Sequence, residues 1–447
     1  MSQSPSNDML SQWCDVDYWR KLCPYLTISE NSLVDGENCN EEMCKEVVKE
    51  KLLERLIDDG YALIDSAICS DTLRAKVGRG ISELEIQHTL PATFSLLFDE
   101  TWRLAAESHH LLLRNNEKNQ NQKGILHAKS MAFNFDMLAW HIDPRLDQSG
   151  FSPHRDRQPD SLSALEQSFY ADGQAKYITH WIALADATPE NSCLYVIPKE
   201  FDPGYLEGDD PPEEDDSNKS DEKSNKSNDN EQFSDPLSRA LNTKQSYQSI
   251  RALPRQAGQS LIFTHRILHW GSRGNPRALD VQPRIALSFV YSDVEFEAPY
   301  LSEESFSEDS NGKWNCPPFS IRLLLVCAQL LIYYQRFNLS TITLRACYDY
   351  CKSNSEKLHE DYRKKVFVEY VKAMKERMDG VPDGDIDKCD ANGSDNEGKD
   401  DVANSEDEEA LLEEMLNNSG EFEDDYDDMC NDGGEQEGNS KKRKQIE

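Results

Sequence analysis

The chain is organised around residues 150–158, which read Gly150-Phe151-Ser152-Pro153-His154-Arg155-Asp156-Arg157-Gln158. An imidazole and a carboxylate stand two positions apart here, shortly after an aromatic run, Met131 to Trp140, that favours a strand. Residues i and i+2 of a strand face the same side, so His154 and Asp156 can bind one metal ion together. With a second histidine from a distant strand they would form the two-histidine, one-carboxylate face that holds non-haem Fe(II).

The same His-x-Asp spacing occurs at three places, His141/Asp143, His154/Asp156 and His359/Asp361. About one such pair is expected by chance in so acidic a chain. The third pair lies in a helical pattern, in which positions i and i+2 are about 200° apart around the axis and cannot share a metal. The choice between the first two pairs depends on sequence further along the chain.

A second informative segment, residues 257–275, precedes a strand-like stretch that starts at Arg284. After a glycine turn and an apolar strand it contains two histidines, His265 and His269. An Fe(II) oxygenase that uses 2-oxoglutarate needs a buried cation for the far carboxylate of this keto acid. Arginine suits that role because its planar fork makes two parallel hydrogen bonds. On a strand Arg284 and Ser288 share a face, so the Ser288 hydroxyl can contact the same anion.

Several segments match, in order, those of a known enzyme family: Leu56–Asp65, Pro153–Asp156, Trp181–Asn191, Val196–Pro198, His269 and Arg284. Over roughly residues 45–295 the chain resembles the phytanoyl-CoA dioxygenase family of Fe(II)/2-oxoglutarate oxygenases. The resemblance implies a mostly β fold with helical cover. That fold is a double-stranded β-helix (a jelly roll of cupin type), flanked by N- and C-terminal helices.

The resemblance also implies a complete site. Iron would bind to His154, Asp156 and His269, and O2 would be the oxidant. The cosubstrate 2-oxoglutarate would bind to Arg284, with Ser288 and Trp181 beside it. Trp181 is open to a second interpretation, as a residue of the core.

The family pattern decides between the competing histidines. His154, unlike His141, is the copy followed by the block that begins at Trp181, so His141 is expected to end the preceding strand. His269 lies eleven residues after Gly258, as the family's distal histidine does. His265 is expected to be a hydrogen-bonded histidine that faces away from the pocket.

The substrate is not implied in the same way. Lys199-Glu200-Phe201 stands where the family has Gly-Ser-His, at a rim that shapes substrate entry. We therefore predict hydroxylation of an unidentified small organic or lipid-like molecule, which could be an acyl compound, and the family name does not identify it. Two alternatives stay open: the same iron site acting on a protein or nucleic acid in the nucleus, and a non-catalytic barrel that serves as an interaction protein.

Charge divides the chain into a folded body and acidic appendages. Residues 207–235 carry 12 acidic side chains against three lysines, and residues 383–437 carry 23 against two. With so little apolar surface, both segments are predicted to be disordered, the first as a loop insertion. Whether that insertion acts as a lid stays open. The predicted organisation is a partly ordered leader (1–40), the oxygenase domain (41–300), a helical extension (316–378) and an acidic tail with a basic end (379–447).

The remaining features limit location and partners. The start of the chain has no secretory signal, its end has no peroxisomal signal, and the longest apolar run, Leu323 to Tyr334, is too short to span a bilayer. No basic stripe lies on the body, so direct nucleic-acid binding is not expected. The basic cluster Lys441–Lys444 favours either nuclear import or a contact with the acidic tail, and that tail could bind a protein partner. We predict an intracellular location, cytoplasmic or nuclear.

Overall fold

The structure is a computed structural model that describes residues 5–29, 33–36, 46–113, 124–126, 130–157, 167–209, 236–278, 281–302 and 306–378. The acidic insertion from residue 210 onwards, the acidic tail and its basic cluster lie outside these residues. The α-helices are α1 (Pro5–Trp13), α2 (Val16–Leu22), α3 (Glu46–Asp59), α4 (Asp71–His88), α5 (Asp99–Leu113), α6 (Gly204–Glu207), α7 (Pro236–Ala240), α8 (Phe319–Ile332), α9 (Thr341–Ser353) and α10 (Glu360–Met378). Short 3-10 helices lie at Ala92–Leu97, Pro144–Leu146, Pro189–Asn191, Lys199–Phe201, Ser246–Ser249, Tyr334–Arg336 and Ser355–Lys357.

The strands form three antiparallel sheets. They are β1 (Leu33–Asp35), β2 (Tyr61–Ile64), β3 (Met131–Ile142), β4 (Tyr177–Ala183), β5 (Leu194–Ile197), β6 (Arg251–Leu253), β7 (Ser260–Thr264), β8 (Leu268–Gly271), β9 (Arg284–Asp293), β10 (Ser307–Glu308) and β11 (Lys313–Asn315). The largest sheet has the order β2-β7-β4-β9-β3, the second β6-β5-β8, and the smallest β1-β11-β10. Antiparallel sheets with helical cover are what the sequence predicted.

The central strand β4 has two buried faces with different roles. Thr179 and Trp181 point into the space that we call the central cavity. Ile178 and His180, one position away, face the helices, where the His180 ring contacts the Ser108 hydroxyl of α5 at 2.6 Å. Because side chains alternate along a strand, one sheet face carries the apolar core and the other carries the cavity.

The C-terminal helix α8 packs against β3 at the edge of this sheet, and the C-terminal helices share one core with the N-terminal helices that pack on its apolar face. Every residue of α8 from Ile321 to Ile332 is buried, which explains why its sequence is apolar on all sides. Tyr348 of α9 stacks on Tyr370 of α10 at 4.0 Å, and Tyr362 of α10 stacks at 3.3 Å on Tyr300, in the connection after β9. Helical packing was the predicted role of this region.

Some local predictions were wrong. The sequence of residues 91–113 predicts one helix, but the structure has a 3-10 helix and an α-helix there, separated by the extended residue Phe98. His359 lies before α10, not within it, and its Nδ1 is 3.4 Å from Asp361 Oδ2. The helical argument against that pair therefore fails, although no third ligand joins it among the described residues. Strands β1, β8, β10 and β11, of two to four residues each, were not predicted.

No helix in the described part of the chain combines the length and the apolar character that crossing a membrane requires.

Candidate active site

The segment with the His-x-Asp motif is not a strand, contrary to the sequence prediction. Residues 151–157 are irregular and meet β8 through one isolated bridge, between His154 and His269. The backbone N–H of each residue donates to the carbonyl of the other, at 3.0 and 3.1 Å. Backbone pairing with β8 therefore brings His154 next to His269. The strand alternation that the sequence prediction assumed for His154 and Asp156 does not apply to this segment.

Three side chains converge at this bridge, and we call them the His-Asp-His group: His154, Asp156 and His269. Asp156 Oδ1 lies 3.7 Å from His154 Nε2 and 3.6 Å from His269 Nε2. One ligand atom from each side chain lies within 4.8 Å of the other two. Two imidazole nitrogens and one carboxylate oxygen fit an Fe(II) ion that keeps other coordination positions open.

Neighbouring groups fix the orientation of each of these side chains. The Nδ1 atoms of the two imidazoles contact backbone carbonyls two residues earlier, Ser152 O at 2.8 Å and Ile267 O at 3.1 Å. The Thr179 hydroxyl donates to Asp156 Oδ2 at 2.6 Å, which leaves Oδ1 on the side of the histidines. Such contacts set the tautomer of a ligand histidine and the direction of its free nitrogen.

The electrostatics favour the protonation states that a metal needs. Burial, followed by repulsion from His269, lowers the pKa of His154 to about 3. Burial would raise the pKa of Asp156, but His269, His154 and the Thr179 hydrogen bond hold it below the ordinary value. A neutral imidazole and an ionised carboxylate are the forms that bind a divalent cation.

Arg155, between the two ligands of the motif, is a residue that sequence reasoning missed. Its side chain is 1% exposed and forms ion pairs with Asp202 at 2.6 Å and Asp209 at 2.7 Å. It also donates to the carbonyl of Arg266, at the turn before β8. Arg155 thus joins the motif to β8 and to the segment that leads into the acidic insertion. Asp202 and Asp209 were the available signal, but the acidic run from residue 207 was interpreted only as part of a disordered insertion. That prediction was wrong at its start, because Glu207 ends α6 and Asp209 is buried in the ion pair with Arg155.

Arg284 lines the central cavity together with the His-Asp-His group. The residue is 2% exposed, and its Nη1 donates to the carbonyl of Ser192 at 2.7 Å. Its Nε has no hydrogen-bond partner, and no carboxylate in the described part of the chain pairs with it. Burial lowers the pKa of Arg284 to about 10. A buried cation without a counter-ion, in a cavity, is a site for an anion.

The other two predicted cosubstrate residues line the same cavity. The Trp181 ring centre is 5.9 Å from the Arg284 guanidinium carbon, and Trp181 also belongs to the apolar cluster on that face of the sheet. Both interpretations of Trp181 are therefore compatible with its position. Ser288 lies on the cavity face of β9 with Arg284, as strand alternation predicts.

Two glycines make the approach of these segments possible. A Cβ atom added to Gly150 would lie 2.4 Å from the Cα of Gly271. A Cβ atom on Gly271 would lie 2.6 Å from the Cα of Gly150 and 3.3 Å from Nη1 of Arg284. Side chains at either position would force the motif away from β8 and the cationic end of the cavity.

The competing histidines have other environments. His141 lies in β3 opposite Ile285, and the Asp143 carboxylate is occupied by Arg145 at 2.8 and 2.6 Å. His265 is fully buried, and its Nδ1 faces the carbonyl of Tyr177 at 3.3 Å. Neither histidine lines the central cavity.

The C-terminal helical region also contributes to the cavity, which the sequence did not predict. Tyr333 and Arg336, just after α8, line it, and the Arg336 guanidinium lies 4.0 Å above the Phe151 ring. The arginine within the aromatic run that follows α8 was the available signal, but it gives no indication of where that run folds.

The sequence profile of the phytanoyl-CoA dioxygenase (PhyH) family matches residues 43–276, more than half of the chain. The chain belongs to this family. As a PhyH member it is an iron- and 2-oxoglutarate-dependent oxygenase, the class to which its cavity residues are suited.

Solved structures give a more distant likeness. The epimerase SnoN of nogalamycin biosynthesis, described as non-haem and α-ketoglutarate dependent, is 16% identical over 56% of this chain and 84% of its own, with a TM-score of 0.31. HygX from Streptomyces hygroscopicus, solved with nickel and 2-oxoglutarate, is 12% identical over 59% of this chain and 92% of its own, with a TM-score of 0.33. A search of curated protein sequences finds no match. The assignment to PhyH therefore depends on the family profile.

Proposed function

We propose that this PhyH chain is a dioxygenase that hydroxylates a C–H bond of a small organic substrate. The observation that carries the proposal is that the His-Asp-His group and the buried, unpaired Arg284 line one cavity. A metal site next to a cation with no counter-ion suits a metal-binding dicarboxylate cosubstrate. In this proposal the two larger sheets are the two halves of a double-stranded β-helix, and residues 316–378 are an extension that completes the cavity of the domain at 41–300.

His154, Asp156 and His269 would hold Fe(II) on one face and leave the opposite positions free. Bound there, iron would supply O2 activation coupled to the oxidative decarboxylation of 2-oxoglutarate. Burial keeps the His154 imidazole neutral, and the neighbours of Asp156 hold its carboxylate ionised, so that these two ligands need no proton loss before they bind.

Arg284 would bind the far carboxylate of 2-oxoglutarate, with the Ser288 hydroxyl on the same strand face. The charge-assisted contact would supply the counter-ion that the structure otherwise lacks for Arg284. Trp181 would limit the width of this end of the cavity. With its far end fixed, the cosubstrate would present its keto acid to the metal in one orientation.

The substrate would occupy the other side of the cavity. The cavity is also lined by the apolar side chains of Leu138, Trp140, Phe151 and Val290, which would exclude water from the reacting C–H bond. Lys199, in the segment that departs from the family pattern, donates to the carbonyl of Ile57 at 2.9 Å. Lys199 is thus engaged in packing against α3.

The test is conversion of 2-oxoglutarate to succinate by the full chain with Fe(II) and O2, followed by a metabolite screen for compounds that increase it. We expect slow turnover without substrate and none in the His154→Ala variant. If wild-type protein binds neither Fe(II) nor 2-oxoglutarate, or if the His154→Ala variant turns over as the wild type does, the proposal is wrong.

A further inference from the structure

Asp136 lies in the central cavity at an irregularity of β3. Phe133 pairs with Tyr291 and Met137 with Phe289, so three residues of β3 stand opposite one residue of β9, Val290, and the ladder is interrupted. Phe135 has φ of +69° there, and its carbonyl accepts a hydrogen bond from Gln329 of α8 at 2.9 Å. A bulge of this kind re-aims side chains. After it, Asp136, Leu138 and Trp140 all line the cavity.

The two oxygens of the Asp136 carboxylate are used unequally. Oδ2 accepts hydrogen bonds from the phenols of Tyr300 at 2.6 Å and Tyr333 at 2.7 Å, and a long one from Tyr177 at 3.5 Å. Oδ1 accepts none from the described residues, although Asp136 is only 2% exposed. It is also absent from the fully enclosed atoms that lack a partner. Oδ1 is therefore the atom that a molecule in the cavity can reach.

The nearby cations do not neutralise this carboxylate by contact. Arg157 lines the cavity beside it, but its guanidinium pairs with Glu297 through two hydrogen bonds, one of 2.9 Å. Within the described chain, Asp136 has no ion pair with Arg157 or Lys365. Filling the cavity with a wholly apolar molecule would strip water from Oδ1 without replacing the lost hydrogen bond, which is unfavourable.

We propose that Asp136 Oδ1 accepts a hydrogen bond from a hydroxyl or protonated amine of the substrate. The inference rests on the proposed function and deepens it, because the substrate is then a hydrogen-bond-donating molecule and not a purely apolar lipid. A site built to hydrogen-bond a polar group discriminates strongly against an analogue that lacks it. Asp136 is thus a specificity-determining residue for this oxygenase.

Three ring compounds of similar size test the proposal: cyclohexanol, the cyclohexylammonium ion and methoxycyclohexane, which can only accept. Their dissociation constants are measured by calorimetry on the full chain with Fe(II) and 2-oxoglutarate, without oxygen. We expect the better of the two donors to bind at least about tenfold more tightly than the ether. Tighter cyclohexanol indicates a hydroxylated substrate, and tighter cyclohexylammonium indicates an amine. Equal or tighter binding of the ether would overturn the proposal.

The Asp136→Asn variant makes the test sharper. Two phenols donate to Oδ2, so the amide oxygen should take that position and leave the amide N–H2 at the position of Oδ1. The position that accepts a hydrogen bond in the wild type then donates one. The affinity for methoxycyclohexane, relative to the affinity for cyclohexylammonium, should therefore rise by about tenfold or more. If the folded Asp136→Asn variant ranks the three compounds as the wild type does, the assignment of Oδ1 as the acceptor is contradicted. If the variant does not fold, the wild-type order alone decides.

Tyr300→Phe is the matched control, because it removes a hydrogen bond to Oδ2 and leaves Oδ1 intact. Tyr300 does not line the cavity, so this variant should keep the wild-type probe order. If Tyr300→Phe loses the wild-type ranking of the three compounds, the hydrogen bonds to Asp136 act only on the structure of the cavity, and the proposal is contradicted. Wild-type succinate formation, measured separately, distinguishes a failure of this inference from a failure of the proposed function.

Discussion

The backbones of His154 and His269 exchange two hydrogen bonds, at 3.0 and 3.1 Å, and the two imidazole centres lie 4.3 Å apart. Main-chain atoms therefore hold the two histidines in register, whatever their side chains bind. Replacing either side chain should leave this bridge in place. Metal ligation can thus be tested at each position without first destroying the geometry of the site.

Alanine at His154, Asp156 or His269 should remove most Fe(II) binding, since each supplies one atom of the proposed ligand face. Anaerobic titration with Fe(II) gives the stoichiometry. His141→Ala and His265→Ala are the controls and should still bind close to one ion per chain. If His141→Ala abolished binding while His154→Ala retained it, the wrong motif would have been chosen.

Arg284→Ala should weaken 2-oxoglutarate binding by about 30-fold or more, because truncating a buried charge-assisted contact costs roughly 2–5 kcal/mol. Iron binding should persist. Calorimetric titration of the Fe(II) form gives the dissociation constant. The matched control is Arg273→Ala, whose exposed guanidinium pairs with Asp147 at 2.8 Å. Unchanged affinity in Arg284→Ala, or a loss in the control instead, would rule out Arg284 as the anchor.

Arg155→Met should destabilise the fold by roughly 3–5 kcal/mol, because it leaves Asp202 and Asp209 as buried carboxylates without a cation. Urea denaturation measures the change in the free energy of unfolding. Lys372→Met removes the exposed pair with Glu369 on α10 and should cost less than about 1 kcal/mol. Equal effects of the two substitutions would mean that the Arg155 cluster contributes no more than a surface pair.

The metal-free protein should lose stability between about pH 6.5 and pH 5. Burial lowers the pKa of His180 to about 3 and, with a smaller effect of His110, that of His109 to about 4. Unfolded, these imidazoles titrate near their ordinary pKa of about 6.5. Their contribution is therefore present above that pH and is lost as the pH falls, because only the unfolded chain takes up the protons.

One carboxyl group acts in the opposite direction over this range. Burial raises the pKa of Glu85 to about 7, so protonation in the folded state favours folding as the pH falls. The Glu85→Gln variant should therefore lose stability more steeply than the wild type as the pH falls. The melting temperatures of the chelator-treated wild type and of the chelator-treated Glu85→Gln variant are measured as a function of pH. A wild-type melting temperature that rises on acidification would contradict this account.

Much of the fold could be predicted from local pattern. Tyr61–Ile64 is a strand between Gly60, at φ of +83°, and the Ser70-capped helix α4, and each of these features is visible in a short window of sequence. The residues that line the cavity from β4 and β9 also follow from alternation, since a strand decides locally which side chains share a face. Ser288 was placed beside Arg284 in that way.

The geometry of the His-x-Asp motif could not be predicted from local sequence. His154 and Asp156 were chosen for their spacing on a strand, but they lie on an irregular segment whose position depends on β8 and on the Arg155 ion pairs with Asp202 and Asp209. The correct residues thus followed from an incorrect geometry. Residue type and chain order carried the information, because Fe(II) requires particular donor atoms whatever backbone presents them.

The sequence by itself determined the family, most helices and strands, the candidate ligands and the buried arginine, since these depend on residue chemistry and short-range periodicity. Only the tertiary structure decided which side chains complete the cavity. Asp136 and Tyr333 are 197 positions apart and hydrogen-bond at 2.7 Å, because the irregularity in β3 turns one side chain inward and the packing of α8 places the other opposite it. No periodicity connects residues so far apart in the chain, and their meeting is decided by the packing of the sheet against the helices.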